Sequence, residues 1–243
     1  MIKAVLQDVV AHTHALGFLP VVKITSNEDT IIESMADDRS VIVNAKTHEK
    51  VKEFNGVFGL PSLEKLNLHL KNPEYKENAV IKVLEAEKNG VVVPTGLHFE
   101  NATGDFQNDY RFMSTEIINA KLKPVEFKGA NWDVEFEPSI PAIQRFKLQS
   151  NAHSEENAFQ VKTDGDNLVF YFGNASSHAG SFVFQPNIGG KLTSTWSWPV
   201  TRVLSILNLN GDITMRISSK GVMKITVDSG ITEYNYLLPA MVS

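Results

Sequence analysis

Two histidines near the amino terminus, His12 and His14, are the first side chains in this chain that could build a chemical site. Imidazole nitrogens are common metal ligands and common general acids or bases. The surrounding residues predict a helix, however, and helical residues two apart point about 200° away from each other, so this pair cannot chelate one ion. We therefore expect two histidines on a solvated or ligand-facing helix.

Carboxylates form the second group of candidates, at Asp37-Asp38 and at Asp164 and Asp166. General acid–base chemistry needs two carboxyl groups that converge on one substrate. Both clusters lie in sequences typical of turns, where aspartate accepts backbone hydrogen bonds, so a turn role is the simpler interpretation. The chain also lacks a phosphate loop, a dinucleotide fingerprint, a nucleophile elbow and a zincin motif. We predict no catalytic residues, no metal and no cofactor.

Composition narrows the class of protein. The 243 residues are 42% hydrophobic, enough for a real core, and include no cysteine, which excludes disulfides, thiol catalysis and cysteine-ligated zinc. No apolar run approaches the ~20 residues of a membrane span, and the amino terminus does not read as a signal peptide, so we expect a cytoplasmic protein. The formal net charge is −5, so any nucleic-acid contact must be confined to a local positive patch.

The elements that would position a site occur in the same order twice, from residue 1 to about 113 and from about 132 to 243. Four helices are predicted. The first spans 2–16 and is stopped by Gly17, and the second follows Pro61. The third runs from about Pro141 to Asn151 with Ser139 as its cap, and the fourth follows Pro199. Alternating polarity predicts strands at 21–25, 30–34, 40–44, 79–84, 91–99, 106–113, 158–163, 168–172, 181–184, 213–218, 222–227 and 231–237.

This pattern predicts an α+β fold made by duplication. Two similar domains, 1–114 and 131–243, would each carry two helices on antiparallel sheets, and a poorly periodic connector, 115–130, would join them. A duplicated β-rich unit without a catalytic motif indicates a binding architecture.

The outward faces of the four predicted helices share a modest basic bias, although a solvated helix face is the plainer interpretation. If the faces converged on one surface, they would form a lining that contacts phosphates without reading sequence. Acidic residues on these faces are few, mainly Asp8 and Glu64. The polar and basic residues assigned to the faces are Lys3, Gln7 and His14, then Lys65, His69 and Lys71, then Arg145, Lys147 and Gln149, and finally Thr201, Arg202 and Asn208.

The carboxyl-terminal segment 234–243 stays apolar to its end, whereas free tails are normally polar. One interpretation is a last strand with a tail packed on its own domain. The other is one wall of a hydrophobic pocket for a partner peptide.

Three segments then resemble the DNA polymerase sliding clamps, in the two-domain trimeric form of eukaryotes, archaea and T4-like phages. Residues 132–146, WDVEFEPSIPAIQRF, resemble the strand-into-helix opening of the second clamp domain. Residues 199–207, followed by GDITMRI and GVMKITV, resemble its second helix and the next hairpin. The stretch ITEYNYLLPA from residue 231 is similar to the closing strand and tail. The short chain is most like a phage clamp, which would place it in the cytoplasm of a bacterial host.

The resemblance implies a duplicated DNA-clamp fold that assembles as a ring of three subunits, with helices lining the hole. Lysines are sparser on the helix faces than in such clamps, which suggests weaker or more salt-sensitive DNA association. The residues at the DNA-facing positions are Lys3, Lys65, Lys71, Arg145, Lys147, Gln149 and Arg202.

The same resemblance implies protein partners: a DNA polymerase, a clamp loader and further copies of the chain. Partner peptides would dock in a pocket between the domains, at Ile117, Ile118 and Leu122 of the connector and at Leu237, Leu238, Pro239 and Met241 of the tail. Ring closure would pair an edge strand within 109–113 with one within 177–184, placing Asp109, Tyr110, Arg111, Phe112, Ser181, Phe182 and Val183 at the subunit interface.

The function that follows is a non-enzymatic sliding clamp, a processivity factor that encircles duplex DNA and tethers the replicative polymerase. A structural β-rich virion protein, in a tail or capsid, is the alternative, because it too would be duplicated, cysteine-free and non-catalytic. A hydrolase whose histidines and aspartates converge only in the fold is a weaker third possibility.

Overall fold

Helices and antiparallel strands follow one another in a computed structural model that describes residues 2–88, 90–123, 129–174, 176 and 178–241. The described residues form two compact units. The first contains those up to 123 together with Ser229–Tyr234, and the second contains those of 129–228 and 235–241. The predicted domain boundaries at 114 and 131 stay a prediction.

The first unit holds helices α1 (Ile2–His12), α2 (Leu63–Lys71) and α3 (Thr115–Lys121). Its strands form two antiparallel sheets, with orders β4-β1-β2-β3 and β5-β6-β7. Their bounds are β1 (Val22–Ser26), β2 (Thr30–Met35), β3 (Ile42–Thr47), β4 (Gly56–Leu60), β5 (Val80–Lys88), β6 (Val91–Glu100) and β7 (Gln107–Arg111).

The second unit holds helices α4 (Ile140–Ala152) and α5 (Val200–Leu207). Its sheets have the orders β15-β14-β13-β8 and β11-β10-β9-β12, again antiparallel. The strands are β8 (Val134–Phe136), β9 (Ala158–Asp164), β10 (Asn167–Phe172), β11 (Gly180–Gln185), β12 (Trp196–Pro199), β13 (Asp212–Ser218), β14 (Val222–Asp228) and β15 (Thr232–Pro239), which begins among residues of the first unit.

The predicted helix-ending glycine and helix-capping serine lie where the sequence predicted them. The first helix continues into a 3-10 turn, His14–Leu16, and stops at Gly17, whose φ of 76° lies in the left-handed region that glycine tolerates. The Ser139 hydroxyl accepts a hydrogen bond from the Ala142 amide and so caps α4. The α+β class with antiparallel sheets and few helices is therefore confirmed.

Three elements were missed: β4, α3 and β12. The strand β8 lies within 132–146, where the clamp resemblance predicted a strand that leads into a helix. The strand β4 lies where the alternating pattern predicts no strand, because its glycines at Gly56 and Gly59 weaken the strand signal. The predicted connector begins with α3, whose residue Ile118 is buried beside Val21 and Leu122. Pro124 and Lys128 of the connector lie outside the described residues.

Gly59 provides a test of how α3 is held. Its backbone lies so close to Ile118 that a Cβ added there would approach the Ile118 Cδ1 to 2.9 Å. We expect Gly59→Val to overpack this contact and to lower the free energy of unfolding by about 1–3 kcal/mol, because the side chain of Ile118 is fully enclosed. Urea unfolding measures the effect. Gly189→Ala is the control, since nothing lies within 4 Å of that position, and equal losses in both variants would contradict the packing argument.

Candidate nucleic-acid interface and partner surfaces

The two long helices of each unit lie side by side. In the first unit α1 packs against α2, and in the second α4 packs against α5. A groove runs between α1 and α2 and is lined by Gln7, Ala11 and Ala15 on one side and by Asn67 and Lys71 on the other. The side chains on the outward faces of these helices decide whether a phosphate backbone could be bound.

The outward face of α1 carries no charge. Its exposed residues are Ala4, Gln7 and Ala11, and Ala15 follows them in the 3-10 turn. Lys3, one of the predicted DNA-facing residues, is half-buried and its ammonium group donates a hydrogen bond to the backbone carbonyl of Tyr75. Its charge is therefore engaged at the flank of the helix rather than presented on the outward face.

Asp8 and His12 were assigned to the outer side of this helix, and that assignment is wrong. Both are buried. The Tyr234 hydroxyl donates to the Asp8 carboxylate at 2.8 Å, the His12 Nδ1 lies 3.1 Å from the other Asp8 oxygen, and the His12 ring stacks on Tyr234 at 4.5 Å. Because Asp8 is buried, the outward face of α1 lacks the negative charge that was assigned to it, and this favours anion binding there.

This buried network should make the protein sensitive to acid. Burial opposes ionisation of Asp8, but hydrogen bonds from His12 and Tyr234 outweigh it and hold the pKa of Asp8 below its ordinary 3.8. A depressed folded-state pKa stabilises the fold above the unfolded-state pKa, and this contribution is lost as the pH falls through the folded-state pKa. We expect Asp8→Asn to lower the free energy of unfolding by about 1–3 kcal/mol near pH 7. Below about pH 4 the stability of the variant should approach that of the parent protein.

Urea unfolding at several pH values measures this difference. Asp164→Asn is the matched control, because Asp164 is exposed beside a turn and the same change of chemistry there removes no buried hydrogen bond. A stability difference between Asp8→Asn and the parent that stays constant down to pH 2 would contradict the assignment.

The helix α2 presents two exposed cations, Lys65 and Lys71, on either side of an exposed Leu68. Glu64 is also exposed on this helix. His69, which we expected on the same face, is half-buried and stacks on Phe99 at 5.2 Å. Burial, aided by the charge of Lys65, lowers the pKa of His69, so this imidazole adds no positive charge at neutral pH.

The helix α4 also presents two exposed cations, Arg145 and Lys147. Because they are two residues apart, they lie about 200° apart around the helix, on opposite flanks of the exposed Leu148. Gln149 does not share this outward face. It is half-buried, and its amide nitrogen would meet a Cβ built at Gly180 of β11, so it packs against that strand.

The helix α5 is almost uncharged on its outward side, where Thr201 and Asn208 are exposed and Ser205 is half-exposed. Arg202 is half-buried and is engaged in an interaction within the protein. On the inward side of α5, Val203 and Ile206 are fully enclosed, whereas Leu204 is half-buried.

The charge on these four helices opposes that of the remaining chain. They contain six basic residues and two acidic ones, a formal charge of +4, so the remainder of the −5 chain carries −9. Basic helix faces on an acidic protein suit loose binding of phosphates and disfavour adsorption of the whole surface to DNA. The exposed part of this charge lies on α2 and α4.

Both strands predicted at the subunit interface lie at the edges of their sheets. In the described residues, β7 pairs with β6 alone and β11 with β10 alone. An edge strand has a row of backbone donors and acceptors free to pair with another chain. The geometry is therefore suitable for pairing between copies. Ser177, at the start of the predicted interface range, lies outside the described residues.

The side chains of β7 divide into two sets. Tyr110 is buried, and its hydroxyl donates to the Pro61 carbonyl, while Phe112, just beyond the strand, stacks on Phe58 at 4.3 Å. Asp109 and Arg111 face outward. The Asp109 carboxylate lies 2.8 Å from the His98 Nδ1, and this hydrogen bond raises the pKa of His98.

The side chains of β11 divide in the same way. Ser181 and Val183 are exposed. Phe184 is buried and stacks on Phe170 at 4.2 Å, while the half-buried Phe182 lies 5.7 Å from the same ring. The apolar core of the second unit thus extends to its edge strand.

The residues predicted for a partner-peptide pocket differ in accessibility. Ile117 on α3 is exposed. Ile118 on the same helix and Leu122 just beyond it belong to the core of the first unit and are not available to a peptide.

In the tail, Leu238 is buried, and its carbonyl accepts a hydrogen bond from the Trp198 indole at 2.9 Å. Leu237 is half-buried, while Pro239 and Met241 are exposed. The Met241 amide donates to the Ser197 carbonyl. The tail therefore packs on its own unit along most of its length, as one of the two interpretations held.

The aspartates of the second carboxylate cluster lie in a turn, as the simpler interpretation held. Asp164 and Asp166 flank Gly165 in the tight turn between β9 and β10, and both are exposed. Among the described residues no three histidine or acidic side chains are arranged to hold a metal ion. Likewise, no described helix is long and apolar enough to cross a membrane.

Solved structures share this fold over nearly the whole chain. A chain in the structure of the C-terminal region of FEN-1 bound to A. fulgidus PCNA has a TM-score of 0.67 and 10% sequence identity, covering 99% of this chain and 95% of that one. PCNA from Thermococcus kodakaraensis has a TM-score of 0.68 and 12% identity, with coverage of 98% and 97%. No protein-family model and no curated protein matches the sequence. At such identities the likeness concerns the fold alone, and it confirms the predicted clamp fold.

Proposed function

We propose that this chain is a DNA sliding clamp: a ring of three copies that encircles duplex DNA and tethers a replicative polymerase without catalysing a reaction. The observation that carries the proposal is the PCNA-type fold, which extends over 98–99% of the chain. A tether raises the effective concentration of the polymerase at the primer end, and this alone improves processivity. The finer likeness to clamps of T4-like phages, and hence a site of action in the bacterial cytoplasm, is part of the proposal.

Duplex DNA would meet the outward faces of the helices. Lys65, Lys71, Arg145 and Lys147 are exposed there and would neutralise phosphates transiently, without contacts to bases. Arg202 would contribute from the flank of α5. Lys3 and Gln149, which are engaged at Tyr75 and Gly180, would mainly hold their helices in place.

Ring closure would pair β7 of one copy with β11 of the next. Two observations support this choice: both strands are sheet edges, and each is packed against a helix that exposes a leucine. Leu68 on α2, beside β7, is 63% exposed, and Leu148 on α4, beside β11, is 69% exposed. Such leucines on a soluble chain are explained if a second copy covers them.

Protein partners would be the polymerase and a clamp loader. Short apolar peptides of such partners have two candidate contacts that are accessible, Ile117 on α3 and the pair Pro239 and Met241 on the tail.

Substitution of Ile117 by aspartate should weaken polymerase stimulation without changing the oligomeric state.

The experiment that tests the proposal is light scattering over a range of concentrations, followed by retention on circular DNA. The chain has a mass of 27.0 kDa, and we expect a species of three times that mass that dissociates on dilution. The assembled protein should stay on nicked circular duplex and leave it when the circle is cut. A strict monomer at high concentration would overturn the proposal, and a large open polymer would favour a structural virion protein.

A further inference from the structure

The strand β5 lies at the other edge of the sheet that contains β7, and its apolar side chains are only partly covered. Among the described strands it pairs with β6 alone. Its first five residues, 80–84, are an apolar run interrupted by one lysine, which is typical of a strand that is covered by neighbours. Yet none of the nine residues of β5 is buried. The strand therefore has the composition of a covered strand and the position of an edge strand.

The second unit shows how the same position is completed. The strand β13, which is the next strand after α5 as β5 is the next after α2, lies between β14 and the short strand β8. Its inward residue Met215 is fully buried and lies opposite Phe136 of β8. Ile217, two positions further on, is fully buried and lies opposite Val134. A strand of three residues is thus enough to cover the apolar side chains of β13.

The strand β5 has this cover on one side only. Ile81 lies opposite the fully buried Phe99 of β6. Val83 lies opposite Leu97, which is also fully buried. No described strand lies on the other side of Ile81 and Val83, and both remain half-buried. What β13 has and β5 lacks is an added strand with two apolar side chains.

The residue between the two inward positions is basic in both units. Arg216 of β13 lies opposite Glu135 of β8, and its guanidinium group lies 2.6 Å from the Glu135 carboxylate. In β5 the residue between Ile81 and Val83 is Lys82, which is exposed. A strand added to β5 in the manner of β8 would place an acidic side chain opposite Lys82. An exposed ion pair contributes at most about 1 kcal/mol, so this pair would select the added strand more than hold it.

The far half of β5 is unsuited to pairing. Its register with β6 shifts between Leu84 and Glu85, and the four residues that follow, 85–88, are all exposed and include three charged side chains. Bulges and charges are features by which edge strands avoid pairing with other chains. The stretch 80–84 has no bulge and a single charge, and so it is the part of the edge that is open to another strand.

We propose that the edge 80–84 binds an extended segment of a partner protein, which joins the sheet as an antiparallel strand with the pattern apolar–acidic–apolar. Backbone hydrogen bonds would supply the affinity, and side chains would supply the selectivity. The two apolar residues would cover Ile81 and Val83, and the acidic residue would face Lys82. Because β5 and β7 are opposite edges of one three-stranded sheet, this site is separate from the edge proposed for ring closure. The inference therefore does not depend on the proposed function.

A synthetic peptide with the sequence of residues 132–137, WDVEFE, tests the inference, because it contains the strand that covers β13. Hydrogen–deuterium exchange followed by mass spectrometry measures the protection of backbone amides. If the Kd is about 0.1 mM, a peptide concentration of about 1 mM should slow exchange within 80–84 about tenfold and leave β7 unchanged.

Three outcomes of this experiment would overturn the inference. The first is an unchanged exchange rate within 80–84. The second is faster exchange in β8 without protection of 80–84, which would mean that the peptide only replaces β8 in its own unit. The third is protection of 80–84 that rises with protein concentration in the absence of peptide, which would mean that a second copy occupies the edge.

A reversal of charge tests the register. Lys82→Glu should weaken binding of the peptide about tenfold, because attraction becomes repulsion, and a peptide with Glu135→Lys should restore it. The control is Lys76→Glu, which makes the same change at an exposed residue four positions before β5 and should leave binding of both peptides as in the parent protein. Equal weakening in the control, or no rescue by the altered peptide, would overturn the inference.

Discussion

Replacing Leu148 with aspartate is expected to dissociate the oligomer into 27.0 kDa monomers at concentrations where the parent protein is fully assembled. The side chain is 69% exposed in the single copy, so the substitution should change the stability of the fold by less than about 0.5 kcal/mol. At a junction with Leu68 of another copy the same change removes about 1.5–3 kcal/mol of apolar burial and adds the cost of burying a charge. Together these effects should weaken assembly by at least about 100-fold.

Light scattering measures the mass, and retention on circular DNA measures the consequence for function, which should be lost together with the oligomer. Ile140→Asp is the matched control: it introduces the same charge on the same helix at a residue that is 72% exposed, two turns before Leu148. It should stay assembled. If Leu148→Asp kept the parent mass while the circular dichroism spectrum was unchanged, the junction would have to involve other surfaces.

The sequence alone was sufficient for the elements whose signals are local. Proline, glycine and serine at helix ends, and tight turns such as the one at Gly165, gave the positions of four helices and most strands. The elements that were missed are those made by tertiary contact. The helix α3 has seven residues and is held by the packing of Ile118 on Gly59, and a side chain lying over a glycine leaves no local pattern.

The errors at the candidate site have a similar cause. Periodicity assigns one apolar stripe to α1, but that helix is buried over a wider arc, because Tyr234 packs on it from 226 residues away. Asp8 and His12 are therefore core residues, and polar type alone could not reveal this. Exposed charged residues such as Lys65 and Arg145 could be assigned from sequence, since their exposure follows from helical spacing.

The edge strands illustrate a third case. Alternating polarity predicted these two strands, and the clamp resemblance predicted that they are edge strands. Only the sheet order shows that β7 and β11 each have a single neighbour among the described strands. The exposed leucines on α2 and α4 then become candidates for a contact between copies, because each lies on the helix that packs against an edge strand. A leucine at an outward helical position is otherwise common and carries no information by itself.

The largest loss of stability is expected for Phe146→Ala. Phe146 is fully buried on α4 and its ring lies 4.6 Å from that of Phe159 and 5.2 Å from that of Phe170, with Phe172 and Phe184 next to these. Removal of a buried phenylalanine from such a cluster costs about 3–5 kcal/mol, because the surrounding rings cannot collapse into the cavity. This is a large share of the roughly 5–15 kcal/mol by which a domain is stable.

Urea unfolding followed by circular dichroism should give the loss directly, and Ile140→Ala is the control, since it truncates a side chain of the same helix that is 72% exposed. The control should stay within about 0.5 kcal/mol of the parent protein. Because α4 carries Arg145, Lys147 and Leu148, loosening of its inner face should also weaken assembly and DNA retention, although none of these residues is changed. A loss below about 1 kcal/mol in the Phe146 variant would mean that the helix is held mainly by contacts other than this aromatic cluster.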